Sequence, residues 1–183
     1  MADNSNLNDF IGKFKGGNRT HRYDVTMNFP NSVDDPGQSN RFFIRAVSLP
    51  PSQINPIRIP YRGRILKWPG DRIYFPWTFR VLDQNENKNK SLWNSFNEWS
   101  NSINDNKTNL SNNEFNKFTT DWTIRQIGPK NANDVVKEVK LINCWPTIVG
   151  PISMDSNAID TLVEFTVTVE YSYHLVDGIN PFN

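Results

Sequence analysis

The side chains in this chain of 183 residues that could do chemistry are concentrated cations rather than nucleophiles or metal ligands. Its histidines are His21 and His174, and its lone cysteine is Cys144. No HExxH, CxxC, GxSxG or GxxxxGK[ST] spacing sets a base beside a nucleophile or gathers zinc ligands. Glu164 and Glu170 are possible acid/base partners, but they fall on a regularly alternating segment, where a solvated strand face is the plainer reading. No catalytic residue, cofactor or metal is therefore expected. Cys144, next to Trp145, reads as a buried core residue; it excludes an internal disulfide framework and suits assembly in a reducing cytoplasm.

The cations gather between Leu49 and Trp77, in LPPSQINPIRIPYRGRILKWPGDRIYFPW. Arg58, Arg62, Arg64, Lys67 and Arg72 stand there against a single acid, Asp71, among Tyr61, Trp68, Tyr74 and Trp77. Guanidinium groups beside aromatic rings form a surface that stacks bases and contacts phosphates, so a nucleic-acid-binding β-barrel is one reading. The same stretch interleaves β-formers with Pro50, Pro51, Pro56, Pro60, Pro69 and Pro76, and proline is confined to strand edges, strand starts and turns. These strands are expected to lack full ladder partners in their own chain and to dock on a neighbour. Arg58, Arg62, Arg64, Lys67, Asp71 and Arg72 are the candidate subunit-interface residues.

Charge balance favours the docking reading. Formal net charge is only +1. Residues 41–80 carry eight Lys/Arg and one acid, whereas 141–183 carry five acids and no Lys or Arg, which would repel the phosphates that the basic stretch attracts. Opposite charges on one small domain suit head-to-tail self-association, in which each copy offers both halves of a complementary pair.

The elements that position these residues follow from period and punctuation. The polar run MADNSNLND is expected to be a mobile arm, with a short helical or irregular piece from Leu7 to Phe14 closed by Gly16 and Gly17. Strands are predicted for His21–Phe29 and Phe42–Leu49, with turn material from Asn28 to Gly37. Next come a long hairpin turning near Tyr61–Arg64 and a strand over Ile73–Leu82, in which Pro76 marks an edge or bulge.

In KSLWNSFNEWSNSI the apolar residues recur at helical spacing, Asn89 or Ser91 can cap the start, and Trp93, Phe96 and Trp99 are expected to anchor this helix onto a β-core. Asn104–Asn116 has no period and reads as a long flexible loop. Strands follow at Asp121–Ile127, Val135–Trp145 and Thr161–Leu175. In the last, Val163, Phe165, Val167, Val169, Tyr171 and Tyr173 form a dry face, and Glu164, Thr166, Thr168, Glu170 and Ser172 a wet one.

With 37% hydrophobic residues the chain can bury one good core, so a single domain over residues 21–183 is expected behind an arm over 1–20. No secretory signal follows Met1 and no apolar run approaches a membrane span.

Taken in order, AVSLP (Ala46–Pro50), IPYRGRILKWPGDRIYFPWTFRVLDQNE (Ile59–Glu86), the helix reaching Trp99, INCWPTIVGPISMD (Ile142–Asp155) and FTVTVEYSY make the chain resemble the tail tube proteins of contractile-tailed, myovirus-type bacteriophages over about residues 20–175. The resemblance implies two packed antiparallel sheets or a flattened β-barrel, with one flanking helix and a long hairpin. It implies a structural virion protein whose six-fold rings stack into a hollow inner tube for phage DNA ejection, made in the host cytoplasm. The implied partners are further copies of itself, the tail sheath protein, baseplate and tail-terminator proteins, and the tape-measure protein and DNA in the lumen. The wet face Glu164, Thr166, Thr168, Glu170 and Ser172 is then the candidate lumen lining. A related protein that starts the tube at the baseplate is an alternative, disfavoured because nothing is left over for an extra baseplate-binding domain.

Overall fold

Alternation of apolar residues with polar ones builds most of this molecule. The structure, a computed structural model, describes residues 4–14, 17–33, 43–83, 91–129 and 134–177. Within them lie α1 (Asn4–Phe14), β1 (Tyr23–Thr26), β2 (Ile44–Ala46), β3 (Ser52–Tyr61), β4 (Arg64–Tyr74), β5 (Trp77–Leu82), α2 (Leu92–Ile103), α3 (Phe115–Phe118), β6 (Thr120–Ile127), β7 (Val135–Val149), β8 (Glu164–Glu170) and β9 (Tyr173–Val176). Seven strands form one antiparallel sheet in the order β1-β6-β7-β8-β5-β2, with β9 added to β7, and β3 and β4 form a separate two-stranded sheet. The protein is mainly β, a curled antiparallel sheet with a flanking helix and a long hairpin.

The curl comes from β7. Its first half lies between β6 and β9, whereas Trp145–Val149 pairs with β8. The bend is at Asn143, whose φ of 57° interrupts the strand where the β6 register shifts. Asp121 Oδ1 accepts the Asn143 N–H at 3.1 Å, satisfying an amide that the ladder leaves free. The two ends of the sheet are brought near each other, since Tyr23 donates its hydroxyl to the Ile44 carbonyl at 2.6 Å.

Inward residues of facing strands fill the barrel-like interior: Trp77, Phe79 and Val81 from β5, Trp122 and Ile124 from β6, and Phe165, Val167 and Val169 from β8. Trp122 is the hub, with ring centroids 5.6 Å from Phe79, 5.9 Å from Trp99 and 6.0 Å from Trp77. Burial of side chains this large stabilises by about 2–3 kcal/mol each. Cys144 is fully buried among them, and desolvation pushes its thiol up to about 12.

Several elements differ from the sequence expectations. The Ile73–Leu82 strand is two strands, because Phe75–Pro76 marks where the chain leaves the hairpin and joins the main sheet. β3 and β4 pair with each other along nearly their whole length, so the prolines leave only the outer edges of the hairpin open. The final strand starts at Glu164 and breaks after Glu170, where Ser172 donates its N–H to Ile142 across the β7 bend; Val163 and Tyr173 are exposed rather than on the dry face. The helical piece expected from Leu7 to Phe14 starts one turn earlier, at Asn4.

The Asn104–Asn116 segment is pinned, not loose. Asp105 Oδ1 accepts from the amides of Lys107 and Thr108 and from the Thr108 hydroxyl, and Asn112 returns its N–H to Ile103 at 2.8 Å. Its end enters α3, which no periodicity announces. Gly16, the part of the expected turn beyond Val33, Phe42, and Asn89 as a cap lie outside the described residues.

Candidate assembly surfaces

The hairpin turns on Arg62 and Gly63, both at positive φ (45° and 78°), the mirror-image turn whose twist matches that of paired strands. Only glycine takes the second position without strain. Ile57 faces Trp68, Ile59 faces Leu66 and Tyr61 faces Arg64, whereas Arg58 faces Lys67 and Pro60 faces Ile65. Cross-strand partners share a side of the ribbon, so one face is mostly apolar (Ile57, Ile59, Tyr61, Leu66, Trp68) with Arg64 at its tip, and the other carries Arg58, Lys67 and the prolines, with Ile65 beside Pro60. Near the base the strands crowd so closely that a Cβ on Gly70 would sit 2.6 Å from the Asn55 carbonyl.

Both faces of the ribbon are bare: Tyr61 is 65% and Trp68 59% exposed. Arg62 lies over the Tyr61 ring at 5.4 Å, and Arg72 donates to Ser52 Oγ at 2.8 Å. No salt bridge among the described residues involves Arg58, Arg62, Arg64, Lys67, Asp71 or Arg72. Tyr74 roots the hairpin in the domain, its ring 5.0 Å from His174 and 6.0 Å from Tyr171. Two buried polar atoms there, Tyr171 Oη and His174 Nδ1, have no hydrogen-bond partner. Burial pushes the Tyr171 phenol up to about 12; burial, then the Arg72 charge, hold His174 below its usual value.

A second surface is the outer face of β5 and β8. Thr78 and Thr168 face each other with hydroxyls 2.9 Å apart, and the Thr147 hydroxyl donates to the Thr168 carbonyl. Thr166 is exposed opposite Arg80, Glu170 is half-buried, and Ser172 lies beyond the strand end, its Oγ accepting from Asn143 Nδ2. The acids do not stand alone. Arg45 binds Glu164 directly and Arg80 lies 3.8 Å from its other oxygen, so the face carries compensated charge rather than an unbroken acidic band.

Helix α2 begins at Ser91, whose Oγ accepts the Asn94 N–H at 3.1 Å. Phe96 and Trp99 are fully buried, and the Trp99 indole donates to the Phe118 carbonyl at 2.6 Å. Trp93 lies at the margin of the core, half-buried, with its indole on the Gly150 carbonyl at 3.2 Å.

Two surfaces escaped the sequence reading. The segment after β7 exposes Met154 (89%), Ile159 (82%) and Leu162, apolar residues without any period to mark them. On α1, Leu7, Phe10, Ile11 and Phe14 are each more than half exposed; their i, i+3, i+4, i+7 spacing was the available signal, masked by the polar run before it.

A groove of about 440 Å³ between Phe29–Ser32 and α3 has Lys117 as its one ionisable lining residue, already paired with Glu114 at 2.6 Å. Among the described residues no three His, Cys, Asp or Glu side chains gather as metal ligands, and no helix is long and apolar enough to cross a membrane.

Comparison with known proteins agrees with a surface-built function. The family model described as phage tail tube protein matches residues 18–177. The tail tube protein of Serratia phage KSP90 is 30% identical over 90% of this chain and 93% of that protein. That of Enterobacteria phage T4 is 23% identical over 75% of this chain and 82% of its own length. Among solved structures, the fold is similar to a chain of the six-fold symmetrised anti-feeding prophage baseplate (TM-score 0.61, 10% identity, 86% of this chain and 93% of that one). It is also similar to a chain of the extended sheath–tube complex of an extracellular contractile injection system (TM-score 0.56, 16% identity, 94% and 97%).

Proposed function

This chain belongs to the phage tail tube protein family, and from that premise we propose how its surfaces build and line the tube. It is a tube-forming structural virion protein. Six copies close into a ring, rings stack inside a contractile sheath, and the bore carries the tape-measure protein and then DNA. Tube ends meet baseplate and terminator proteins, and the protein acts without catalysis. The observation that carries this reading is the hairpin β3–β4, a ribbon bare on both faces with open outer edges. A two-stranded ribbon is marginal in water unless a further surface covers it, and a neighbour covers this one by packing on a face or adding a strand to an edge. The contact joins unlike surfaces, so it propagates.

The β5/β8 face, with Thr78, Thr166, Thr168, Glu164 and Glu170, lines the lumen. Hydroxyls and balanced charges offer phosphates no net grip, since affinity for DNA grows with every phosphate neutralised. Negative-stain microscopy of the purified protein tests assembly, with hollow tubes expected, and a map of those tubes tests the lining. A map with Glu164 and Thr166 on the outer wall rejects the lumen assignment. Tight, steeply salt-dependent oligonucleotide binding by a protein that forms no tubes would favour the nucleic-acid reading of the hairpin instead.

A further inference from the structure

We infer that α1 docks through Leu7, Phe10, Ile11 and Phe14 onto the apolar hairpin face of a second copy of this chain, so that the N-terminal helix is an assembly clasp. The inference rests on the reading of the hairpin as an assembly element. Helix α1 has 11 residues, shorter than the roughly 12–15 below which isolated helices are marginal in water, so it needs a surface to hold its shape. Its apolar residues form one stripe, with Asn8, Asp9, Gly12 and Lys13 on the opposite side; Phe10 and Phe14 already stack at 5.3 Å. Gly17, at φ 60°, returns its N–H to the Phe14 carbonyl and ends the helix cleanly.

The complementary surface is Ile57, Ile59, Leu66 and Trp68, flanked by Tyr61 and Ile73. Neither surface contributes an ion pair among the described residues, and the one cation on this hairpin face, Arg64, lies at its tip across from Tyr61. Taking each side chain as exposing about half of ~150–200 Å², the four on α1 and six on the hairpin together offer roughly 750–1,000 Å², the low end of what makes a specific interface. The α1 patch, roughly 300–400 Å², and the hairpin patch, roughly 450–600 Å², are each as large as the largest patch that a monomer leaves in water, about 300–600 Å². Within one chain both remain exposed, so the fold does not bring its own helix onto its own ribbon. The segment from Phe14 to Tyr23 spans at most about 30 Å when extended, enough to place α1 beyond the edge of its own domain.

Two measurements on the full chain test this. In the first, Leu7→Asp with Phe10→Asp should leave monomer melting unchanged, because the helix makes no core contact, while raising the concentration needed for tube assembly at least about ten-fold, equivalent to about 1.4 kcal/mol. Phe10→Leu should assemble as the parent does. If the double variant assembles at the parent concentration while Trp68→Asp blocks assembly, the clasp is wrong and the hairpin reading stands; if Trp68→Asp also assembles freely, the hairpin reading falls as well. In the second, Phe10→Cys chains are mixed with Ile57→Cys chains and oxidised, Cys144 being buried and inert. A disulfide-linked pair should form in the mixture, not in either variant alone nor with Leu110→Cys as partner. No linked pair in assembled tubes overturns the contact, and a crosslink formed within single chains carrying both cysteines, before assembly, overturns the second copy as occupant.

Discussion

Arg80 stands 3.8 Å from Glu164 across adjacent strands β5 and β8, on the face that we assign to the bore, and Arg45 binds the other oxygen of the same carboxylate. One acid therefore restrains two guanidinium groups. Replacing Glu164 and Glu170 by Lys leaves all four of these side chains positive, where the native set is balanced. Tubes should still assemble, since the face touches no core residue through these groups, but DNA passage should be retarded. Particles should adsorb and contract yet eject poorly, and the effect should weaken at high salt. Normal ejection at low salt would reject a lumen position.

The helix anchors separate by burial. Trp99→Ala removes a fully buried indole and its hydrogen bond to Phe118, and should cost about 3–5 kcal/mol. Trp93→Ala, at the core margin, should cost less than half as much. Thermal or urea unfolding of the two variants decides; equal losses would contradict the difference in packing.

Assembly and stability should come apart at the hairpin. Arg62→Glu with Arg64→Glu reverses charge at the tip without touching the core, so the monomer should melt as the parent does while tubes fail to form. Gly63→Val places a β-branched residue at φ 78°, a conformation costing about 1–2 kcal/mol or more, and should disorder the turn alone. Long tubes from the charge-reversed variant would remove the hairpin from the interface.

His174 predicts a pH dependence at the hairpin root. Burial, then Arg72, hold its pKa below 6.5, so the folded chain prefers the neutral ring and the unfolded chain takes up the proton first. Stability should be full above about pH 6.5 and be lost as pH falls from there through the lower folded value. Melting at about pH 7.5 and pH 5.5 measures this, and His174→Gln should flatten the difference. An identical slope in that variant would place the acid sensitivity elsewhere.

Much of this protein was legible from sequence because period reports burial. Phe165, Val167 and Val169 announce an inward face, Leu92, Phe96 and Trp99 a helix stripe, and Arg62–Gly63 lies in the tight turn predicted near Tyr61–Arg64. The tail tube resemblance came from the order of such segments. Period two, however, says only that a strand has a wet side; it does not say what lies across from it. Arg45 and Glu164 are 119 residues apart and meet because β2, β5 and β8 adopt one particular register. Sequence charge counts placed these residues in separate basic and acidic regions, yet the fold neutralises them in one cluster. Likewise, prolines and arginines marked the hairpin as exposed, but only cross-strand pairing gathered Ile57, Ile59, Tyr61, Leu66 and Trp68 onto one side, with Arg64 at its tip, and Arg58 and Lys67 onto the other. The break after Glu170 follows from the bend in β7, a property of the strand it leans on rather than of its own residues.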